Sequence, residues 1–251
     1  MRILALIPAR GGSVTLPRKN VLPFCGRPLI AYSIAAAREA AEGGAPINRV
    51  IVSTEDAEIA RISREWGAEV PFMRPSDLAR SDTPSLPVVL HALRWLDQSE
   101  GPACYDWVLV LQPTSPMRTA GDIVNAISLA QKVGTNAVVS VTNANDFHPA
   151  KLKLIVNGVL KPYLGDTHNS QRRQDFGFDV YKTNGAIYLT RRDVLLEQDS
   201  FYGDCPRPLV MPPERSVDID TRLDFEIAET LYHKVHADEA QEPPACNAQA
   251  R

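Results

Sequence analysis

The sequence predicts an α/β protein with a largely parallel sheet covered by helices. Short apolar, β-prone runs recur along the chain, and stretches with helical spacing of apolar residues lie between them. The runs are mostly continuous rather than alternating, as expected for strands buried on both faces. Several of the helical stretches begin with a recognisable cap, which fixes where each strand-to-helix connection ends.

Taken in order, 3–8 reads as the first strand, and Pro28 can open a helix carrying Ile30, Ile34 and Ala37 on one face. A second strand at 50–53 precedes the stripe Ile59, Ile62 and Trp66. Thr83-Pro84 forms a cap and first turn ahead of Leu86, Val89, Leu93 and Leu96. After a strand at 107–111, Thr119 and Asp122 have capping-box spacing before Ile123, Ile127 and Ala130. Strands at 137–141 and 186–189 follow, and Thr221 with Asp224 repeats the capping pattern beside Leu223, Ile227 and Leu231.

The rhythm breaks between the last two strands. Lys151 to Val156 alternates, Asn157-Gly158 is a strong hairpin signal, and a polar, basic stretch runs from Thr167 to Asp175. This predicts a β-hairpin arm over 146–183, inserted into a core made of 1–145 and 184–236. An arm with little core of its own often packs on a second subunit. The aperiodic segment 237–251 is expected to be a disordered tail.

With 251 residues, 44% of them hydrophobic and 23% charged, the composition is that of an ordinary globular protein. A net charge of −3 provides no electrostatic reason to expect a nucleic-acid partner. No apolar run approaches the roughly 18–20 residues of a membrane span. The first apolar run is too short for a signal peptide, and Arg10 follows it at once, so a cytoplasmic location is expected. The cysteines Cys25, Cys104, Cys205 and Cys246 are widely spaced, which suits reduced thiols better than disulfides or zinc.

Three constellations carry chemistry. In the first, the opening strand delivers Ala9-Arg10-Gly11-Gly12-Ser13 and then Pro17-Arg18-Lys19-Asn20, a glycine-containing cationic loop suited to phosphates. It is neither a Walker A motif nor a G-x-G-x-x-G fingerprint, and a purely structural turn is the competing reading. In the second, Asp218-Ile219-Asp220 places two carboxylates on one side of an extended segment, a donor set for Mg²⁺. The competing reading makes Asp220 a helix cap and Asp218 a solvated charge. In the third, Gln112 to Arg118 follows a buried strand at its C-terminal end, where open α/β sheets place ligands. Gln112 can both donate and accept there.

Together these stretches resemble the CMP-sialic acid synthetase family, cytidylyltransferases that activate nonulosonic acids. The resemblance runs from Ile3 to about Leu231. It includes Arg74-Pro75-Ser76-Asp77-Leu78-Ala79 with Asp82-Thr83, and Asn184-Gly185-Ala186-Ile187-Tyr188. It implies a Rossmann-like three-layer nucleotide-diphospho-sugar transferase fold, with the arm serving dimerisation and reaching over the partner's pocket. It also implies that Arg10, Gly12, Ser13, Lys19 and Asn20 hold the CTP phosphates and ribose, and that Arg74 and Ser85 face the cytosine. Gln112, Lys151, Arg173, Asn184 and Tyr188 would line the acid-sugar pocket. Asp218 and Asp220 would hold Mg²⁺ and, with Arg10 and Lys19, carry the catalysis. Attack of the sugar's anomeric hydroxyl on the α-phosphorus would release pyrophosphate.

The sequence departs from the family pattern at Val14-Thr15, where Lys followed by Gly or Arg is usual, and at Lys182, where Arg is common. Three functional expectations result. The first is an active enzyme for neuraminic- or legionaminic-type acids. The second is an enzyme for pseudaminic or another acid sugar, and the third a weakened nucleotide-binding homologue.

Overall fold

The computed structural model describes residues 1–101, 104–132, 134–164 and 177–239. Its strands are β1 (Ile3–Pro8), the two-residue β2 (Pro23–Phe24) and β3 (Arg27–Pro28), β4 (Ile47–Ser53), β5 (Trp107–Val110), β6 (Ala137–Asn143), β7 (Lys153–Val156), β8 (Val159–Pro162), β9 (Tyr181–Arg191) and β10 (Pro206–Val210). The helices are α1 (Leu29–Glu42), α2 (Ala57–Glu65), α3 (Ser85–Glu100), α4 (Ala120–Ala130), α5 (Arg192–Glu197) and α6 (Arg222–Glu239). The main sheet has the order β10-β6-β9-β5-β1-β4. The pairs β1–β4, β1–β5 and β10–β6 are parallel, as expected.

β9 is antiparallel to both β5 and β6. The chain leaves β6 through the hairpin arm rather than a crossover helix, so it returns in the opposite direction. β9 is also longer than the apolar run at 186–189, because its first residues, Tyr181 to Thr183, pair along the C-terminal end of β6. β10 has no counterpart among the predicted strands. Pro206 and Pro208 mask it in sequence, and it sits at the sheet edge, where proline is tolerated.

The three layers follow from strand alternation. In β1, Ile3, Ala5 and Ile7 face a core shared with Ile30, Ile34, Ile59 and Ile123. Leu4 and Leu6 face the opposite core with Val89, Leu93, Leu96 and Val110. A third cluster, built from Leu16, Phe24, Leu29, Met117, Ile219 and Phe225, seats α6 against the opening loop. Phe24 anchors it through edge-on contacts with Tyr32 at 5.2 Å and Phe225 at 5.5 Å.

Two of the three predicted caps close. Thr119 and Asp122 form the full capping box of α4, and Thr221 and Asp224 exchange the same bonds before α6. α3 differs: Pro84 is its N-cap, and the Thr83 hydroxyl instead donates to the Asp77 carbonyl at 3.3 Å, bracing the preceding turn. α6 continues to Glu239, past the predicted core boundary at 236. The remainder of the predicted tail lies outside the described residues.

The hairpin forms as expected. Asn157 (φ 53°) and Gly158 (φ 76°) both adopt the left-handed conformation that a type I′ turn demands. Every residue of β7 and β8 is exposed. Among the described residues, no helix is long and apolar enough to cross a membrane.

Candidate active site

The C-terminal ends of β1 and β5 open into a cleft of about 840 Å³, including its mouth. Arg10, Ser13, Lys19, Asn20, Arg74, Ser85 and Gln112 line it, as the sequence predicts, and Arg80, Ser81, Thr83 and Thr114 join them. The two loop glycines have different duties. A Cβ on Gly11 would lie 2.4 Å from Asp56 Oδ2, so Gly11 is a packing requirement. A Cβ on Gly12 would meet nothing within 4 Å, which leaves its backbone approachable.

Only part of the loop's positive charge is left to the cleft. Arg18 adopts a left-handed backbone (φ 59°) and turns to Asp56, at 2.5 Å, and to Glu58. Those carboxylates raise its guanidinium further, and the Arg18 hydrogen bond in turn holds the Asp56 carboxyl below its usual range. Asp56 is also the N-cap of α2, accepting from Glu58 and Ile59. Arg10 and Lys19 remain as the loop's cleft cations. Arg10 Nη1 donates to the Arg80 carbonyl at 2.7 Å, and the Asn20 amide donates to the Arg10 carbonyl at 2.9 Å. The first bond links the loop to the 74–85 segment, where Arg80 and Ser81, between the two stretches recognised in sequence, and Thr83 also line the cleft.

Two distant stretches, the opening loop and the segment at Thr114, converge on 218–220. Lys19 Nζ donates to the Ile219 carbonyl at 2.7 Å and pairs with Asp220 Oδ1 at 3.0 Å. The Thr15 hydroxyl donates to the Asp220 carbonyl at 2.6 Å, and the Ile219 amide to the Thr114 carbonyl at 2.8 Å. Ile219 is fully buried while Asp218 and Asp220 face outward, the alternation that an extended Asp-x-Asp requires. Val14, where a cation is usual in the resembling family, is 74% exposed.

Asp218 touches solvent yet is crowded by protein, and this desolvation pushes its carboxyl up. The Asp220 and Asp224 charges add to the shift, and Thr114 and Lys19 oppose it. The Thr114 hydroxyl lies beside it, buried and, among the described residues, without a hydrogen bond of good geometry. Among the described residues, no group of three or more His, Cys, Asp or Glu gathers into a metal cage. Two carboxylates beside an unsatisfied hydroxyl still fit a hard cation such as Mg²⁺, which takes its remaining ligands from water and substrate oxygens.

Arg74 is buried to 5% exposure; Nη2 donates to Glu55 Oε2 at 2.7 Å, and Nε has no partner among the described residues. Behind it, burial and the Arg74 charge hold the His91 imidazole below its ordinary value.

The sugar-side predictions scatter more widely. Gln112 lines the cleft, and Gly185 is required behind it: φ is 73°, and a Cβ there would lie 2.8 Å from Gln112 Oε1. Arg118, fully buried, donates to the Ala186 carbonyl (2.7 Å), the Gln112 carbonyl (3.3 Å) and Ser33 Oγ (2.5 Å). Burial pulls its guanidinium down to about 9, opposed by the Asp122 charge. Asn184 is buried behind the cleft wall. It accepts from Ser140 at 2.5 Å and donates to Ser216 at 2.9 Å, tying β9 to β6 and to the segment before Asp218. Its amide oxygen and nitrogen are thus both bonded within the protein. Tyr188 is half-buried against Phe201 and Tyr202; burial lifts its phenol, and the nearby Asp218 charge contributes. Lys151 is exposed at the foot of the arm, on the turn where His148 Nδ1 accepts the Ala150 amide at 3.2 Å. Arg173 lies outside the described residues.

A family model described as Cytidylyltransferase matches residues 4–203. CMP-N,N'-diacetyllegionaminic acid synthase of Legionella pneumophila is 35% identical, over 92% of this chain and 96% of that protein. N-acylneuraminate cytidylyltransferase of Escherichia coli O18:K1:H7 is 32% identical over 93% of this chain, which spans 52% of that longer protein. Pseudaminic acid cytidylyltransferase of Campylobacter jejuni is 33% identical, over 94% of this chain and 98% of that protein. Among solved structures, CMP:2-keto-3-deoxy-manno-octonic acid synthetase complexed with CTP matches with a TM-score of 0.67 at 18% identity. The match covers 94% of this chain and 100% of that one, and it shows a common fold.

Proposed function

The chain belongs to the cytidylyltransferase family, and from that premise we propose that it transfers CMP from CTP to the anomeric hydroxyl of a nonulosonic acid. The observation that carries this reading is the junction at 218–220, where the phosphate-type loop, the Gln112–Arg118 segment and the Asp pair are tied together. Arg10, Gly12, Ser13, Lys19 and Asn20 take the phosphates and ribose, and Arg74 with Ser85 takes the base. Gln112 and Tyr188 face the sugar, whose carboxylate pairs with Lys151 and Arg173; Asn184 holds Gln112's wall in place.

The hydroxyl oxygen forms a bond to the α-phosphorus as the bond to the bridging oxygen breaks; pyrophosphate leaves with that electron pair, and the hydroxyl proton passes to water. Such a transfer is mostly positioning and charge neutralisation. Arg10 and Lys19 stabilise the departing pyrophosphate. Mg²⁺ held by Asp218 and Asp220 would supply charge neutralisation at the phosphate and a lower pKa for the attacking hydroxyl.

The acid is of the neuraminic or legionaminic type, with pseudaminic acid the alternative. Relatives named for all three acids are similar to the chain at 35%, 32% and 33% identity, so overall identity does not separate them. The active form is a homodimer joined through the arm: a two-stranded hairpin exposed on both faces is marginal alone in water. Pyrophosphate release from CTP and Mg²⁺ with N-acetylneuraminate, legionaminate and pseudaminate tests the proposal. Release with one of them is expected; CTP binding without release from any of them would contradict it.

A further inference from the structure

We infer that Glu55 is a positioning residue that locks the base-side arginine and the phosphate loop into one register, so that the cleft recognises CTP as a unit. The inference rests on the reading of the cleft as a CTP site.

Glu55 lies just beyond β4, and its two carboxylate oxygens are divided between the phosphate loop and Arg74. Oε1 accepts the Gly11 amide at 2.7 Å. Oε2 accepts Arg74 Nη2 at 2.7 Å. Both bonds are short and charge-assisted. The backbone reinforces the second, because the Arg74 amide donates to the carbonyl of Thr54, next to Glu55, at 2.8 Å.

The Arg74 side chain is 3% exposed and that of Glu55 21%. Held by Nη2 on one carboxylate oxygen, the guanidinium keeps Nε without a partner among the described residues, in a residue that lines the cleft. Gly11 sits between Arg10, which lines the cleft, and Gly12, where a Cβ would meet nothing within 4 Å. The carboxylate that aims Arg74 therefore also fixes the hinge of the phosphate loop.

Asp56, the next residue, has a separate task. It takes Arg18, caps α2 and fills the space that a side chain at Gly11 would need. Asp56 shapes the loop, and Glu55 sets its register against Arg74. A residue that only stabilised the fold would change the melting temperature and affect both substrates alike. A residue that aligns the two halves of the CTP site must act on CTP and spare the acid sugar.

The test uses full-length Glu55→Gln, Glu55→Asp, Arg74→Gln and the Glu55→Gln/Arg74→Gln double variant. Glutamine keeps the shape and loses the charge; aspartate keeps the charge but is one methylene too short to span both partners. Glu55→Gln is expected to raise KM for CTP about tenfold or more, with KM for the sugar within about twofold of the parent. Preference for CTP over UTP should fall. In the Arg74→Gln background the same change should add less than about threefold, because its target is gone. Glu55→Asp should shift KM for CTP in the same direction, and it carries the test if Glu55→Gln does not fold. Unchanged KM for CTP in both Glu55 variants would overturn the inference, as would equal increases for both substrates. A parent protein that binds no CTP would overturn the reading of the cleft itself, and the inference with it.

Discussion

At one end of the cleft, Arg10, Ser13, Lys19, Asn20, Arg74 and Ser85 stand on loops seated against the buried sheet, and ion pairs and backbone bonds within one chain hold several of them in place. At the other end, Gln112 lines the cleft, Asn184 is buried behind it, Tyr188 is half-buried, and Lys151 sits on an exposed turn beside a hairpin whose strand residues are all exposed. The nucleotide end is assembled by the protomer itself. The proposed sugar end is assembled only in part among the described residues, and the proposed dimer would complete it through the arm. The difference also separates two kinds of tolerance: the first end is constrained by packing, and the second by what docks against it.

The largest expected effect lies where the two ends meet. Asp218→Asn should lower turnover by roughly 10³-fold, as several kcal/mol of charge stabilisation are removed from the transition state, while CTP binding measured by calorimetry is largely retained. Loss of CTP binding in proportion to turnover would mean that Asp218 serves the nucleotide alone and that the ends are not joined there.

Arg118→Met probes the wall between them. It leaves the Gln112 and Ala186 carbonyls without their buried donor, and should cost about 2–4 kcal/mol in denaturant unfolding. A loss within about 0.5 kcal/mol would mean that the wall does not depend on this guanidinium.

How far the site was legible in the sequence follows the same division. Arg74 and Ser85 in the 74–85 segment could be named only through the resemblance to the family, while the nucleotide loop and Asp-x-Asp are local motifs whose residues are readable from the chain itself. The layer arrangement was legible for the same reason: β1 reads as a buried strand, and its odd and even residues feed two cores. What was not legible depends on long-range partners. Arg18 looked like a phosphate cation, but Asp56 and Glu58, nearly forty residues away, claim it. Asn184 looked like a sugar contact, but Ser140 and Ser216 take its amide. Glu55 carried no motif at all, since its role exists only once Gly11 and Arg74 lie on either side of it. Thr83 followed the local cap rule until the Asp77 carbonyl offered a tertiary alternative.

The smallest expected effect concerns position 14. Val14 is open to solvent, and Thr15 already ties the loop to Asp220. Val14→Lys should therefore tighten CTP binding only by a few-fold at low salt, less at higher ionic strength, consistent with a screened, exposed charge. An unchanged affinity would mean that this side chain never faces the phosphates. A gain of two orders of magnitude would mean that the nucleotide end is incomplete as it stands.

The division between the two ends is tested most directly on the arm. Ile155 and Leu160 lie opposite each other across β7 and β8 and are 78% and 66% exposed. The double variant Ile155→Asp/Leu160→Asp, followed by sedimentation, CTP calorimetry and sugar saturation kinetics on the same preparation, separates assembly from each substrate. The account predicts a monomer whose CTP affinity stays within about twofold of the parent and whose KM for the acid sugar rises at least about tenfold. A monomer that keeps the parent's KM for the sugar, or one that loses CTP binding, would contradict it.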